Sequence, residues 1–216
     1  MSNKFFFETG NNIFVKGFSI RYRSMTEAID TAKIITENII KLPPEELATF
    51  ESILIRKEVH KGDIILREGM FAKDFYYIES GLLRQFYFKG KHDVTEHFAC
   101  EKQFAVCILS LFRQEPTKLI VEALENGVIY LIPYLKLVEL SERSPLLAKF
   151  LRKMFEDSLC ISQDKADSWR FETARERYNR FLVEFPEASK RASINHIASY
   201  LLMTPESLSR VRAGAL

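Results

Sequence analysis

The chain has 216 residues, 31 Lys/Arg against 29 Asp/Glu, a formal net charge of +2, and 47% hydrophobic residues that include 18 Phe and 8 Tyr. That length and apolar content suit one large or two modest domains with real cores, and the near-neutral charge excludes a protein that coats nucleic acid by bulk attraction. Three scattered cysteines (Cys100, Cys107 and Cys160) form no C-x-x-C pair, which argues against a disulfide framework or a cysteine metal site and favours buried thiols.

The longest apolar run, Phe104 to Phe112, falls far short of the ~20 residues of a membrane span. The N-terminus shows no apolar stretch with a small-residue cleavage site, so a cytoplasmic chain is expected. Residues 1–25, aromatic and basic with Phe5-Phe6-Phe7, stand outside the later pattern and read either as an ordered N-terminal extension or as upstream translation, since Met25 would also serve as a start. Thr26 to Lys41 carries Ala28, Ile29, Ala32, Ile35 and Ile39 at helical spacing, and Pro43-Pro44 stops it. Pro44-Glu45-Glu46 opens a second helix with Leu47, Phe50 and Leu54.

From Arg56 the period changes to two. Short apolar segments at Val59, Ile64–Leu66, Phe75–Ile78, Leu82–Phe88, Val94–Ala99, Leu119–Leu124 and Val128–Ile132 are parted by turns such as Lys61-Gly62-Asp63, Glu79-Ser80-Gly81 and Glu125-Asn126-Gly127. Strands at that spacing predict a compact antiparallel sandwich or roll. From Pro145 to about Phe171 the period is again helical, with Leu147, Leu151, Met154, Ser158 and Ile161 stepping by four and three. Such a heptad seam suits pairing with a second copy of the helix, while Leu146, Phe150, Phe155 and Leu159 widen it enough to cover the sheet instead. Ala174 to Phe185 is a further amphipathic helix, stopped by Pro186.

The last segment reads as two short helices with an abrupt break. Ser193 caps the first, Ile194, Ile197 and Leu201 follow at helical spacing, and Ala198 permits close approach. Thr204-Pro205 restarts the chain, with Leu208 and Val211 as the apolar edge of the second helix. Its other edge carries Glu206, Ser207, Ser209, Arg210 and Arg212, groups that contact phosphates or base edges. This pattern predicts a helix-turn-helix whose second helix enters a DNA major groove. Leu202 occupies the turn, where Gly would supply a positive φ, so the turn is made differently or with strain. From Thr173 onward seven Lys/Arg face four Asp/Glu, a modest local excess of positive charge.

The order helix, roll, long helix and C-terminal helix-turn-helix resembles the Crp/Fnr family of bacterial transcription regulators. The matching residues are Lys57 to Gly69, Phe75 to Arg84, Ala174-Arg-Glu-Arg-Tyr178, Ile197-Ala-Ser-Tyr-Leu201 and Thr204-Pro-Glu-Ser-Leu-Ser-Arg210, and the likeness spans roughly residues 26 to 212. It implies an α+β fold: an antiparallel β-roll (double-stranded β-helix or jelly-roll-like), a long dimerisation helix and a C-terminal winged helix-turn-helix. The expected division is 1–25 extension, 26–140 cyclic-nucleotide-binding-like roll with N-terminal helices, 141–172 dimerisation helix and 173–216 DNA-binding domain. The implied DNA-contacting residues are Thr204, Pro205, Glu206, Ser207, Ser209, Arg210 and Arg212, with Glu206 and Arg210 at the family's base-reading positions. Leu147, Leu151, Met154 and Ile161 are the expected dimer residues. The implied partners are double-stranded DNA and a second copy of the chain, with RNA polymerase and an unidentified small-molecule effector as further candidates, and no membrane.

The chain departs from the family in two places. Family members that bind cAMP carry Gly-Glu and Arg-Ser/Thr in the roll's phosphate loop; here those positions hold Val106-Cys107 and Thr117-Lys118, so negligible cAMP affinity is expected. Beyond Arg212 only Ala-Gly-Ala-Leu follows, so any wing-like turn is expected earlier, around Ala188 to Ala192. Neither an iron–sulfur cysteine set nor a haem ligand set is evident, and no catalytic residue, metal or cofactor is expected. Two other readings remain: a ligand-sensing roll without DNA function, and a cupin-like metal enzyme. The latter would need His92 and His97 to ligate together, but at odd spacing on one strand they face opposite sides.

Overall fold

Proline and small polar caps set most of the helix starts, and glycine-bearing turns set the strand ends. The structure, a computed structural model, describes residues 12–15, 18–21 and 25–214, with side chains described from Thr31 onward. The chain divides into two units, residues 1–52 and 53–216.

The first unit contains an antiparallel hairpin of β1 (Asn12–Val15) and β2 (Phe18–Arg21), in register Asn12↔Arg21, followed by α1 (Met25–Thr36) and α2 (Pro44–Glu51). The expected N-terminal extension thus contains a strand pair and ends on Met25, the first residue of α1, and its remaining residues lie outside the described ones. Pro44 begins α2 where its missing N–H costs nothing. The Ala32 amide donates to Glu51 Oε2 at 3.0 Å and ties the two helices together.

The second unit holds the roll. Strands β3 (Ile55–Val59), β10 (Gly127–Pro133), β5 (Asp74–Ser80) and β8 (Phe104–Ala105) form one antiparallel sheet in that order. A second sheet runs β4 (Ile64–Leu66), β9 (Ile120–Ala123), β6 (Leu83–Lys89) and β7 (His92–Ala99). Only β6 and β7 are sequence neighbours within one sheet; every other connection crosses between sheets, which winds the chain into a roll rather than a meander. Gly127 allows the close approach of β5 and β10, since a Cβ there would sit 2.1 Å from the Ser80 carbonyl oxygen. Between β8 and β9 the apolar run Phe104–Phe112 breaks into strand β8 and a short helix, α3 (Ile108–Arg113), which the period-two reading missed.

Helix α4 (Tyr134–Arg143) leads to α5 (Pro145–Phe171), whose Ser144 cap accepts from the Leu147 amide at 3.1 Å. At 27 residues α5 spans roughly 40 Å. Phe155 anchors it to the roll, with its ring centroid 5.8 Å from Phe75 of β5 and 4.7 Å from Phe112 of α3. Of the four expected dimer residues, Leu147, Leu151 and Met154 are buried within the single chain and Ile161 is exposed. The most continuous apolar stripe covers this chain's own interior. Leu151, together with Ala148, Phe155 and Leu159 about one residue out of phase with the seam, supplies the apolar lining of an open groove between α4 and α5.

Four helices close the chain: α6 (Ala174–Glu184), α7 (Pro186–Arg191), α8 (Ile194–Tyr200) and α9 (Pro205–Arg212). A capping box at Thr173 and Glu176 starts α6 immediately after α5 ends. The segment expected to carry a wing-like turn is instead helix α7, started by Pro186 and fixed by the fully buried Ala188.

Candidate nucleic-acid interface

Each helix of the C-terminal pair is delimited by its own side chains. Ser193 Oγ accepts the His196 amide at 3.2 Å to start α8, and Thr204 Oγ1 accepts the Ser207 amide at 3.2 Å to start α9. Between them lies a Schellman turn. The Leu202 amide donates to the Ser199 carbonyl at 3.2 Å and the Met203 amide to the Ala198 carbonyl at 3.0 Å. The turn requires a left-handed residue, and Leu202 itself adopts φ 53°. Of the two options left open by the sequence, the strained one is realised. Arg177 of α6 adds a cap from outside, its Nε donating to the Leu201 carbonyl at 3.2 Å and its Nη1 to the Glu172 carbonyl at 2.9 Å. No local pattern marks Arg177 for this, because its partner lies 24 residues away.

Ile197, Ala198, Leu201, Leu208 and Val211 are buried, as the helical spacing requires, whereas Ile194 is 39% exposed. With successive residues turned by roughly 100°, Glu206, Ser209 and Arg210 stand directly opposite the buried Leu208 and Val211, and Ser207 and Arg212 flank them. Thr204, Glu206, Ser209, Arg210 and Arg212 are exposed, while Pro205 and Ser207 are half-buried. Pro205 fills the first helical position and offers neither charge nor donor, so its part is to start α9. The Glu206 carboxyl is held below the usual carboxylate range by its own backbone amide, by the Thr204 hydroxyl and by Arg210. It is therefore an ionised acceptor at neutral pH, one turn from a guanidinium donor.

The local basic excess is smaller in space than in sequence. Arg191 is clamped by Glu101 (2.8 Å) and Glu125, Arg180 pairs with Glu172, and Arg177 serves as a cap. Lys190 pairs with Glu187 at 2.8 Å, and Arg175, Arg210 and Arg212 remain toward solvent.

In the roll, the positions where a cyclic nucleotide would be gripped are closed. Cys107 is buried and its Sγ accepts from Gln85 Nε2 at 3.3 Å, and burial pushes its thiol up to about 11. Thr117 is buried and receives the Leu119 amide at 2.9 Å. These groups do not fit a ribose hydroxyl and a cyclic phosphate: no carboxylate stands at Cys107 and no guanidinium at Lys118. His92 and His97 do not converge, since His92 is exposed while the His97 ring stacks edge-on against Phe185 at 5.5 Å. Among the described residues no group of three or more His, Cys, Asp or Glu is placed to hold a metal ion, and no helix is long and apolar enough to cross a membrane.

Residues 56–144 match the cyclic nucleotide-binding domain family. The chain is similar to the "Anaerobic regulatory protein" of Bacillus subtilis, 34% identical over 108 residues that make up 48% of this chain and 44% of that protein. It is also similar to the "Transcriptional activator protein anr" of Pseudomonas aeruginosa, 28% identical over 188 residues, or 80% and 75% of the two chains. The matched stretch thus spans less than half of the first relative and three quarters of the second. Among solved structures the fold is shared with FixK2 from Bradyrhizobium japonicum, with a TM-score of 0.65, 20% identity and coverage of 75% of this chain and 84% of that one.

Proposed function

We propose that this chain, with its cyclic nucleotide-binding domain match and its likeness to two regulatory proteins, is a transcription regulator of the Crp/Fnr type that binds double-stranded DNA sequence-specifically, as a homodimer, through the outward edge of α9. The observation that carries this reading is the placement of Glu206 and Arg210 on an exposed edge, backed by buried Leu208 and Val211. Arg210 is suited to donate twice to a guanine and Glu206 to accept from a cytosine amino group. Thr204, Ser207, Ser209 and Arg212 serve phosphates or secondary contacts, as do the first amides of α9. Residues 173–216 act as the reading segment, and the roll at 26–140 as the regulatory one.

The partner copy pairs along α5 through the open groove at Ala148, Leu151, Phe155 and Leu159, continued by Ile161. Such a dimer sets two recognition helices about 34 Å apart, on half-sites one helical turn apart. RNA polymerase and an unidentified small-molecule effector of the roll complete the proposed partners. Selection of bound duplexes from a random pool with the purified chain tests the reading. The expected product is a two-fold symmetric motif; recovery of unenriched DNA overturns it.

A further inference from the structure

The helix-turn-helix does not complete its own core. From α6 to α9 it has on the order of 40 residues, a size at which a segment seldom buries enough apolar surface by itself. Leu82, Phe98 and Cys100 of the roll share one buried cluster with Phe181, Tyr200 and Leu208. Phe98 of β7 is fully buried, its ring centroid 6.0 Å from Phe181 of α6 and 5.7 Å from Tyr200 of α8.

Polar fastenings surround this contact. The Thr95 amide of β7 donates to Ser199 Oγ of α8 at 3.1 Å, and the two hydroxyls share a 2.7 Å hydrogen bond. Behind them, buried Arg84 donates its Nε to the same Thr95 hydroxyl at 2.8 Å. Arg191, at the end of α7, is held by Glu101 and Glu125 from two roll loops. Lys165 of α5 pairs with Glu96 of β7 at 2.9 Å and lies over the rings of Trp169 and Tyr200 at 4.8 and 5.1 Å. One ammonium thus joins the long helix, the roll and the helix-turn-helix.

We propose that the roll and the helix-turn-helix of one protomer form a single rigid reading unit, in which β7 is the platform that aims α9, and that DNA is bound in this docked arrangement. The proposal rests on the DNA-binding reading above. Two observations favour docking over release. The outward edge of α9 is already exposed while α8 sits on β7, so nothing has to move to uncover it. Separation would expose the Phe98 cluster and strip Ser199 from Thr95 and Arg191 from both its carboxylates. In such a unit, any change in the aim of α9 has to come from how two protomers pair along α5.

A cross-link decides the matter. In a Cys160→Ser background, Thr95→Cys with Ser199→Cys places two thiols where the hydroxyls are 2.7 Å apart, within the reach of a disulfide. With oxidised glutathione the bond is expected to form nearly completely, and the locked protein to bind the selected duplex within about twofold of its reduced form and of the wild-type chain. At least tenfold weaker binding that dithiothreitol restores overturns the proposal, because release is then required. Failure to cross-link while both thiols react freely with maleimide also overturns it. If the wild-type chain binds no duplex either, the DNA-binding reading itself has failed, an outcome separate from a defect of the locked form alone.

Discussion

The Met203 amide donates to the Ala198 carbonyl at 3.0 Å across the turn of the helix-turn-helix, and Leu202 pays for that closure with a φ of 53°. A left-handed conformation costs a non-glycine residue roughly 1–2 kcal/mol. Glycine removes that cost but loses about 0.5–1 kcal/mol of backbone entropy. Because the Leu202 side chain is 50% exposed, little packing is at stake. Leu202→Gly is therefore expected to stabilise the fold by up to about 1 kcal/mol in urea unfolding, and β-branched Leu202→Val to destabilise it by a similar amount or more. The opposite order would show that the turn is not held left-handed.

Arg84 is the most heavily satisfied side chain of the roll. It is 2% exposed, donates to Thr95, to Glu122 at 2.9 Å and to Asp93 at 2.6 Å, and stacks over Phe86 at 4.4 Å. Removing one member of a fully buried ionic set costs roughly 3–5 kcal/mol, and because Asp93 is 44% and Glu122 17% exposed the loss here is roughly 1–3 kcal/mol. Arg84→Met is expected to lose stability in that range, with Arg84→Lys recovering only part, since an ammonium cannot reach three acceptors in fork geometry. A drop under about 1 kcal/mol for Arg84→Met in denaturant titration would contradict this.

His97 makes stability depend on pH. Burial, together with nearby Lys165, pushes its imidazole down to about 4, against roughly 6.5 in an unfolded chain. The folded state thus holds the ring neutral, its contribution is complete above about pH 6.5, and it is lost as pH falls toward about 4. The loss amounts to on the order of 2–3 kcal/mol. His97→Phe keeps a ring beside Phe185 and is expected to flatten the stability profile between pH 6.5 and 4.5. A variant as pH-sensitive as the wild type in that window would locate the effect elsewhere.

The roll is expected to ignore cAMP. Isothermal calorimetry should show no heat of binding at millimolar nucleotide, because Cys107 is engaged by Gln85 where a carboxylate would hold the ribose. Tight binding would mean that the closed interior of the roll rearranges around the ligand.

Much of the fold is legible in the residues because its signals are local. Ser193, Thr204 and Pro205 mark the helix starts by their capping chemistry, and the glycine turns delimit the roll's strands. What stayed hidden is non-local. The stripe Leu147–Leu151–Met154 identifies a helix but not what covers it, and within the chain these side chains turn inward. Pro186 and Ala188 belong to helix α7 rather than a wing-like turn because Ala188 has a core to fill, and that core comes partly from Phe98, 90 residues earlier. The bonds of Arg191 to Glu101 and of Ser199 to Thr95 span 90 and 104 residues, beyond any periodicity. On α9 the residue spacing puts Glu206, Ser209, Arg210 and Arg212 on the exposed side, as they are, but gives Pro205 and Ser207 more exposure than they have.

Binding of the selected duplex by the wild-type chain, Arg210→Ala and Arg212→Ala, measured across a salt series, probes the DNA-reading claim most directly. Arg210→Ala is expected to lose roughly 1–3 kcal/mol and to relax selectivity at one base pair per half-site. Arg212→Ala should weaken all sequences alike and lower the salt slope by about one. Equal affinity and selectivity of Arg210→Ala and wild type at physiological salt would contradict the assignment of α9 as the reading helix.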